Sequence, residues 1–333
     1  MSKLILTSVG GDPAETVGLA ADADAAQTPG PGQVLVEVAA APINPADFLL
    51  AAGWFGVQPT TPWAMGAEGV GRVVQVGPGV EEGLAGRRVI ILPTFEQGTW
   101  AQRVVVAARN VIPVGERGDA LQLAMLGVNP ATAHAALHRF ATLEPGQWVG
   151  QNLGNSAVGQ AVVALARRAG FKTLSVVRRP EGAKRLHALG ADQVIAAGPD
   201  LEERIAAALG GERLSLVLDG VGGNNAAELV GALRDGGTVV SYSSQTGEPP
   251  VLALPDLIYR GISLRGFYIV EWVKTAPRKV LEATYAELAG LVEEGVLSAA
   301  VEATYPLSAY AAALRHAQNP ERAGKILFTP GQD

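Results

Sequence analysis

Gln151-Asn152-Leu153-Gly154-Asn155-Ser156-Ala157-Val158-Gly159-Gln160 is the stretch on which the fold turns. A short extended run, residues 147–150, leads into it. After it Val158, Ala161, Val162, Leu165 and Ala166 recur at helical spacing until Gly170 stops the run. Strand, tight turn and helix together form the setting in which a dinucleotide fingerprint carries meaning. Backbone N–H groups of such a turn reach a pyrophosphate, and the helix N-terminus faces the same anion. Bulky side chains would block that approach, and Gly154, Ser156, Ala157 and Gly159 keep the turn small. Ser156 stands where the middle glycine is usual, so the fingerprint is degenerate. By itself it reads equally well as an ordinary strand–helix turn, and its context makes it a nucleotide cradle.

Downstream the pattern keeps alternating. Strands are expected over 173–177, 193–196, 214–218, 238–241 and 263–267. Helices are expected over 181–189, 201–209 and 224–233, with another at 131–140 ahead of the cradle. Strands separated by helices of this length predict a parallel, doubly wound sheet that binds ligands beyond its strands' carboxyl ends. Upstream, residues 3–120 are β-rich. Val34, Val36 and Val38 alternate with Leu35, Glu37 and Ala39, and Gly and Pro punctuate short β-branched runs, which suggests a small barrel-like unit. The alanine-rich residues 20–26 read as a surface loop or strand edge. The tail is expected to run helix 277–294, strand 300–305, helix 307–316 and strand 325–328, returning to complete the first unit. The expected organisation is residues 1–122 with 272–333 as one domain and 123–271 as the other.

At 333 residues the chain is long enough for two domains. Its formal charge of −6, with basic residues scattered, argues against a nucleic-acid or membrane-surface partner. There is no cysteine, which excludes disulfides, thiolate-bound zinc and a cysteine nucleophile. The start, Met1 to Leu6, does not read as a signal peptide, and a cytoplasmic protein is expected.

The second strand of a nucleotide-binding sheet usually ends in an acid that accepts the ribose 2′-hydroxyl when NAD is preferred. Here it ends Val176-Val177-Arg178-Arg179-Pro180. Two guanidinium groups there suit a 2′-phosphate, although a solvated basic turn reads the same way. NADP is therefore expected over NAD. His134 and His138 share a helical face, but no third ligand accompanies them and helix packing explains them better than a metal does. His187 and His316 look isolated.

Ala41-Pro42-Ile43-Asn44-Pro45-Ala46-Asp47, Gly66-Ala67-Glu68-Gly69-Val70-Gly71, Gly98-Thr99-Trp100, Leu126-Gly127-Val128-Asn129-Pro130, the cradle, and Leu264-Arg265-Gly266-Phe267 follow one another in that order. Together they resemble the zinc-free medium-chain reductases, most closely the trans-2-enoyl-CoA/ACP reductases. The resemblance implies a GroES-like β-barrel catalytic domain, a Rossmann domain, NADPH, a small-molecule substrate and a homodimer. By position it places Asn129, Gly154, Asn155, Ser156, Ala157, Val158, Gly159, Arg178, Arg179, Tyr242, Ser243, Ser244, Gln245, Phe267, Tyr268, Ile269, Val270 and Lys325 at the cofactor. It also implies a tyrosine a few residues after Asp47, as proton or hydrogen-bond donor. Gly53-Trp54-Phe55-Gly56 occupies that place, and the tyrosine falls on Phe55, which has no hydroxyl. Trp54 donates a hydrogen bond but is a poor acid.

The implied reaction is hydride transfer to an activated C=C, with fixed donors stabilising the enolate oxygen. Asn44 is the first candidate among the side chains, aided by cofactor ribose hydroxyls or a backbone N–H. The favoured substrate is an enoyl thioester or another α,β-unsaturated carbonyl compound. Because a quinone places less demand on an acid, NADPH:quinone reduction is the alternative in the same fold. A redox-inactive NADPH-binding protein is the alternative in another class.

Overall fold

β-Branched residues at alternating positions commit the first hundred residues to strands. The computed structural model describes residues 1–21 and 28–332. The described strands here are β1 (Ser2–Leu6), β2 (Val17–Ala21), β3 (Gln33–Pro42), β4 (Trp63–Ala64), β5 (Gly69–Val76), β6 (Arg88–Ile91), β7 (Arg103–Ala107) and β8 (Val111–Pro113). Short helices α1 (Pro13–Thr16), α2 (Pro45–Ala51) and α3 (Ala120–Ala124) sit among them. Ala20 and Ala21 close β2, while residues 22–26 of the alanine-rich stretch lie outside the described residues.

The next unit alternates. It comprises α4 (Asn129–Arg139), β9 (Trp148–Gln151), α5 (Ala157–Ala169), β10 (Lys172–Val177), α6 (Ala183–Leu189), β11 (Gln193–Ala196), α7 (Leu201–Leu209), β12 (Leu214–Asp219), α8 (Ala227–Val230), β13 (Leu233–Ser241), α9 (Leu254–Ile258) and β14 (Ser263–Gly266). The chain then runs α10 (Ile269–Thr275), α11 (Arg278–Glu293), β15 (Val301–Tyr305), α12 (Tyr310–Gln318) and β16 (Lys325–Phe328).

Two compact units result: residues 1–128 with 269–333, and 129–268. The breaks fall a few residues from the expected 122/123 and 271/272. Leu123 and Ala124 are buried and α3 packs on β3 and β5, which keeps this segment with the first unit.

The first unit has a seven-stranded sheet ordered β15-β16-β3-β5-β6-β8, with β7 also on β3, and a three-stranded sheet ordered β2-β1-β4. The tail joins through β16, which pairs antiparallel with β3 at Leu327↔Pro42 and Phe328↔Ala41. Its core includes Leu4, Leu6, Val36, Val38, Leu50, Trp100, Ile326 and Phe328.

The second unit has one sheet, ordered β11-β10-β9-β12-β13-β14, parallel throughout. Cradle strand β9 lies at its centre, and the strand order reverses between β9 and β12, where such sheets bind ligands. Thr173, Leu174, Leu214, Leu216 and Val217 are buried, as strands covered on both faces require.

One expected helix, 224–233, shortens. A 3₁₀ turn over Gly223–Ala226 leads into α8, and β13 begins at Leu233. Leu233 is fully buried and pairs with Leu214, so the backbone extends two residues after Gly231 to place it in the core. Likewise, the first turns of the helices expected at 181 and 307 are 3₁₀, over Pro180–Gly182 and Leu307–Ala309.

Candidate active site

The second unit builds its cradle from small residues in forced proximity. Ser156 caps α5, its Oγ accepting from Gly159 N at 3.0 Å, and Gly170 ends the helix in the left-handed conformation at φ +78°. A Cβ on Gly159 would lie 2.3 Å from Gly154 O, so α5 abuts the turn through a contact that only glycine permits. Leu153 takes up the sharp reversal at φ +55°.

Buried side chains tie the strand ends beneath this turn. Gln151 Nε2 donates to Gly159 O at 3.0 Å and to Ser175 Oγ at 2.9 Å. Asn152 Nδ2 donates to Asp219 Oδ1 at 2.6 Å, and Asn152 Oδ1 accepts from Gly220 N at 2.8 Å. Asp219, fully buried, also accepts from Val221 N, Gly222 N and the Ser241 hydroxyl at 3.2, 3.1 and 3.1 Å. Thus one carboxylate joins the carboxyl ends of β9, β12 and β13. Sequence reasoning missed Asn152 and Asp219 as a pair. The available signal was an amide and an acid, each ending an apolar strand.

Tyr242 follows β13. Its phenolic oxygen is buried without a hydrogen bond of good geometry, and burial pushes its pKa up, opposed by the nearby Ser156 hydroxyl. Ser243, Ser244 and Gln245 are exposed, as is Asn155. Arg178 and Arg179 are exposed at the end of β10. Asn129 opens α4, and the Phe267 ring meets Phe140 edge-on with centroids 5.9 Å apart. Of the segment 267–270, Phe267 and Tyr268 stay with this unit, whereas Ile269 and Val270 begin α10 of the other.

The first unit holds a buried polar set around α2. Asn44-Pro45 starts that helix: proline suits N1, and Asp47 Oδ2 accepts from Asn44 N at 2.8 Å. Asn44 Nδ2 donates to Glu68 Oε1 at 2.8 Å, and Lys325 Nζ donates to Asn44 Oδ1 at 2.6 Å and to Ile43 O at 3.5 Å. Glu68 Oε2 accepts from Val128 N at 2.8 Å. Asp47 and Glu68 are fully buried, and the charge of Lys325 bears on both.

Loss of solvent governs all three charges. Burial raises Asp47 to about 7 against the Asn44 N–H bond, with Glu68 adding repulsion and Lys325 relief. Burial also raises Glu68, opposed first by Lys325. It lowers Lys325, opposed by Glu68.

This arrangement bears on two expectations. Asn44, the candidate donor to the substrate oxygen, is 2% exposed and its amide spans Lys325 and Glu68. Lys325, which the resemblance places at the cofactor, has its ammonium on Asn44 Oδ1 and Ile43 O. Asp47 and Glu68 were missed as partners, although both lie in quoted motifs. Trp54 is 84% exposed, while Phe55 is half-buried with its ring 4.9 Å from that of Phe95.

The His134 and His138 rings lie 4.7 Å apart, and no group of three metal-ligating side chains occurs among the described residues. His316 is not isolated: its Nδ1 meets Tyr305 Oη and its Nε2 meets Glu302 Oε1, each at 2.9 Å. β15 and α12 pack together and bring the three side chains into reach, which sequence spacing hides.

A parallel six-stranded sheet with a glycine-pinched cradle, accompanied by a GroES-like β unit, defines the medium-chain dehydrogenase/reductase class. An alcohol dehydrogenase GroES-like domain model matches residues 30–116, and a zinc-binding dehydrogenase model matches 157–286. The human mitochondrial enoyl-[acyl-carrier-protein] reductase is 35% identical over 327 residues, covering 96% of this chain and 86% of the relative. The Arabidopsis thaliana enzyme of the same name is 34% identical over 269 residues, covering 79% and 72%. A solved structure of Etr1p with NADP and crotonyl-CoA aligns with a TM-score of 0.82 at 26% identity, covering 98% of this chain and 99% of the other. A 2-haloacrylate reductase structure aligns at 0.86 with 25% identity, covering 99% of each chain. The chain belongs to the enoyl-[acyl-carrier-protein] reductase family.

Proposed function

We propose that this protein is an NADPH-dependent reductase of activated C=C bonds, with trans-2-enoyl thioesters as first substrates and no zinc in the hydride transfer. The observation that carries it is the cradle: a capped thirteen-residue helix abutting a turn where a Cβ on Gly154 would meet Ser175 Cβ at 2.9 Å. Such a surface suits a pyrophosphate, and the unsatisfied Tyr242 hydroxyl beside it adds a polar group in want of a partner. The chain's residues therefore fit the cofactor.

NADPH, when bound, supplies a hydride to the β-carbon of the acceptor. The N–H groups of residues 155–158 and the α5 N-terminus would hold the pyrophosphate, and Arg178 and Arg179 would pair with the 2′-phosphate. Asn152 and Asp219 keep the strand ends beneath the turn fixed. In the first unit, the Asn44–Glu68–Lys325 set fixes α2 and with it the approach to Trp54 and Phe55. Backbone N–H groups would stabilise the enolate oxygen, and water would supply the proton to the α-carbon. The relatives named enoyl reductases, and Etr1p crystallised with crotonyl-CoA, support the thioester. Phe55, with no hydroxyl to donate, favours one second reading, quinone reduction. NADPH oxidation measured side by side with crotonyl-CoA and a simple quinone separates the two. If neither acceptor consumes NADPH, the proposal fails.

A homodimer is part of the same proposal. β14 ends the sheet with all four residues exposed, and Leu254, Ile258 and Tyr259 of the preceding segment are 65, 61 and 83% exposed. Edge pairing of β14 with a second copy about a two-fold axis would cover both. Residence in the cytoplasm likewise stands as a proposal, which cell fractionation checks.

A further inference from the structure

Within the second unit, the cradle turn and the arginine segment after β10 are fastened to each other on both sides of the arginines. Ahead of them, Gly154 N donates to Val176 O at 3.0 Å, which pins the turn to the end of β10. Beyond them, the chain closes back onto the same turn. A Cβ on Gly182 would lie 3.3 Å from Asn155 Cβ, and a Cβ on Gly154 would lie 3.3 Å from Leu186 Cδ1 of α6. α6 also packs on α5. A polar bridge joins these parts. Gln160, in the first turn of α5, folds back so that its Nε2 donates to Asn155 O at 2.9 Å. Its Oε1 accepts from Arg185 Nε, on α6. One amide therefore commits its donor to the cradle turn and its acceptor to the helix that follows Arg178 and Arg179. Gln160 and Arg185 are half-buried, whereas Asn155, Arg178 and Arg179 are exposed.

We propose that Gln160 and Arg185 are positioning residues that set the spacing between the pyrophosphate turn and the 2′-phosphate arginines, and so contribute to the preference for the phosphorylated cofactor. This rests on the NADPH reading above and adds to it two residues that act through the turn. A ligand that spans two subsites gains from both only when their separation matches its own. Slack between the subsites weakens that ligand and spares one that occupies a single subsite. NADPH carries both groups. NADH carries the pyrophosphate without the 2′-phosphate, and adenosine 2′-monophosphate carries the 2′-phosphate without the pyrophosphate. A spacing role and a direct phosphate contact therefore leave different marks on the three ligands.

The test is calorimetric titration of these three ligands into the wild type, Gln160→Leu, Arg185→Leu and the double variant. Gln160→Leu is expected to weaken NADPH about fivefold, the worth of one ordinary hydrogen bond, and to leave NADH and adenosine 2′-monophosphate within about twofold of wild type. Arg185→Leu is expected to show the same pattern. The double variant is expected to match Gln160→Leu, because the two bonds lie in series. Unchanged NADPH affinity in both single variants overturns the inference. Adenosine 2′-monophosphate weakened as much as NADPH by Arg185→Leu also overturns it, since Arg185 would then meet the phosphate itself. Either result leaves the NADPH reading standing. Failure of the wild type to bind NADPH overturns both.

Discussion

At Asp47 the loss of solvent outweighs every favourable neighbour. Its carboxyl is held at about 7 against an ordinary 3.8, so the folded protein binds a proton there that the unfolded chain has released. Stability from this group is full below the unfolded value and is lost as pH rises through the folded one. Glu68 acts in the same sense. Lys325, pushed down by burial, acts in the opposite sense at alkaline pH, where the unfolded chain holds more protons. Denaturant midpoints measured from about pH 5 to 7 should therefore fall with pH. Asp47→Asn, neutral throughout, should flatten that slope, and a slope that Asp47→Asn leaves unchanged would contradict the assignment. At Phe55 the expectation concerns rate. Phe55→Tyr supplies the missing hydroxyl, and one well-placed donor is worth on the order of a hundredfold. Crotonyl-CoA turnover should rise; an unchanged rate would mean that this position is not the donor's. Asn44 marks how far single residues could be read. Its motif was visible, but its buried partners Glu68 and Lys325 stand 24 and 281 positions away, and no local pattern announces them.

Among the elements, the cradle is the most constrained. Gly159→Ala would place a methyl 2.3 Å from Gly154 O and push α5 off the turn. A loss of roughly 1–3 kcal/mol is expected by analogy with overpacked cores, together with weaker NADPH binding. Unfolding and titration of that variant check the two effects separately, and a variant that matches wild type in both would show that the contact relaxes freely. β11 and α7 match their expected ranges end to end, because a β-branched run bounded by turns and an amphipathic helical period are both legible in the sequence. The short helices α1, α2, α3, α9 and α10 are absent from the expected elements, since four to seven residues hold too little period to detect. In α2 the better signal was the cap, Asn44-Pro45 followed by Asp47. The end of α8 was misread because burial of Leu233 against Leu214 is a tertiary demand that overrides local propensity.

For the whole molecule, the sequence order of elements held most of the architecture. The alternation after Leu123 implied the doubly wound sheet, and β16 closes onto β3 as the tail was expected to do. Edge exposure was beyond reach, because Leu254, Ile258 and Tyr259 look like any apolar helix face until the sheet order leaves β14 last. Ile258→Glu should convert a dimer to a monomer in sedimentation without unfolding it; an unchanged mass would remove this edge as the interface. We propose that the second unit carries a phosphorylated nicotinamide cofactor at its cradle, with Arg178 and Arg179 on the 2′-phosphate. Titration of NADPH and NADH into the wild type and into Arg178→Ala/Arg179→Ala decides this. Wild type should bind NADPH at least about tenfold more tightly than NADH, as expected for a charge-assisted phosphate contact, and the double variant should lose that preference. Absence of NADPH binding, or a preference for NADH that persists without both arginines, would contradict it.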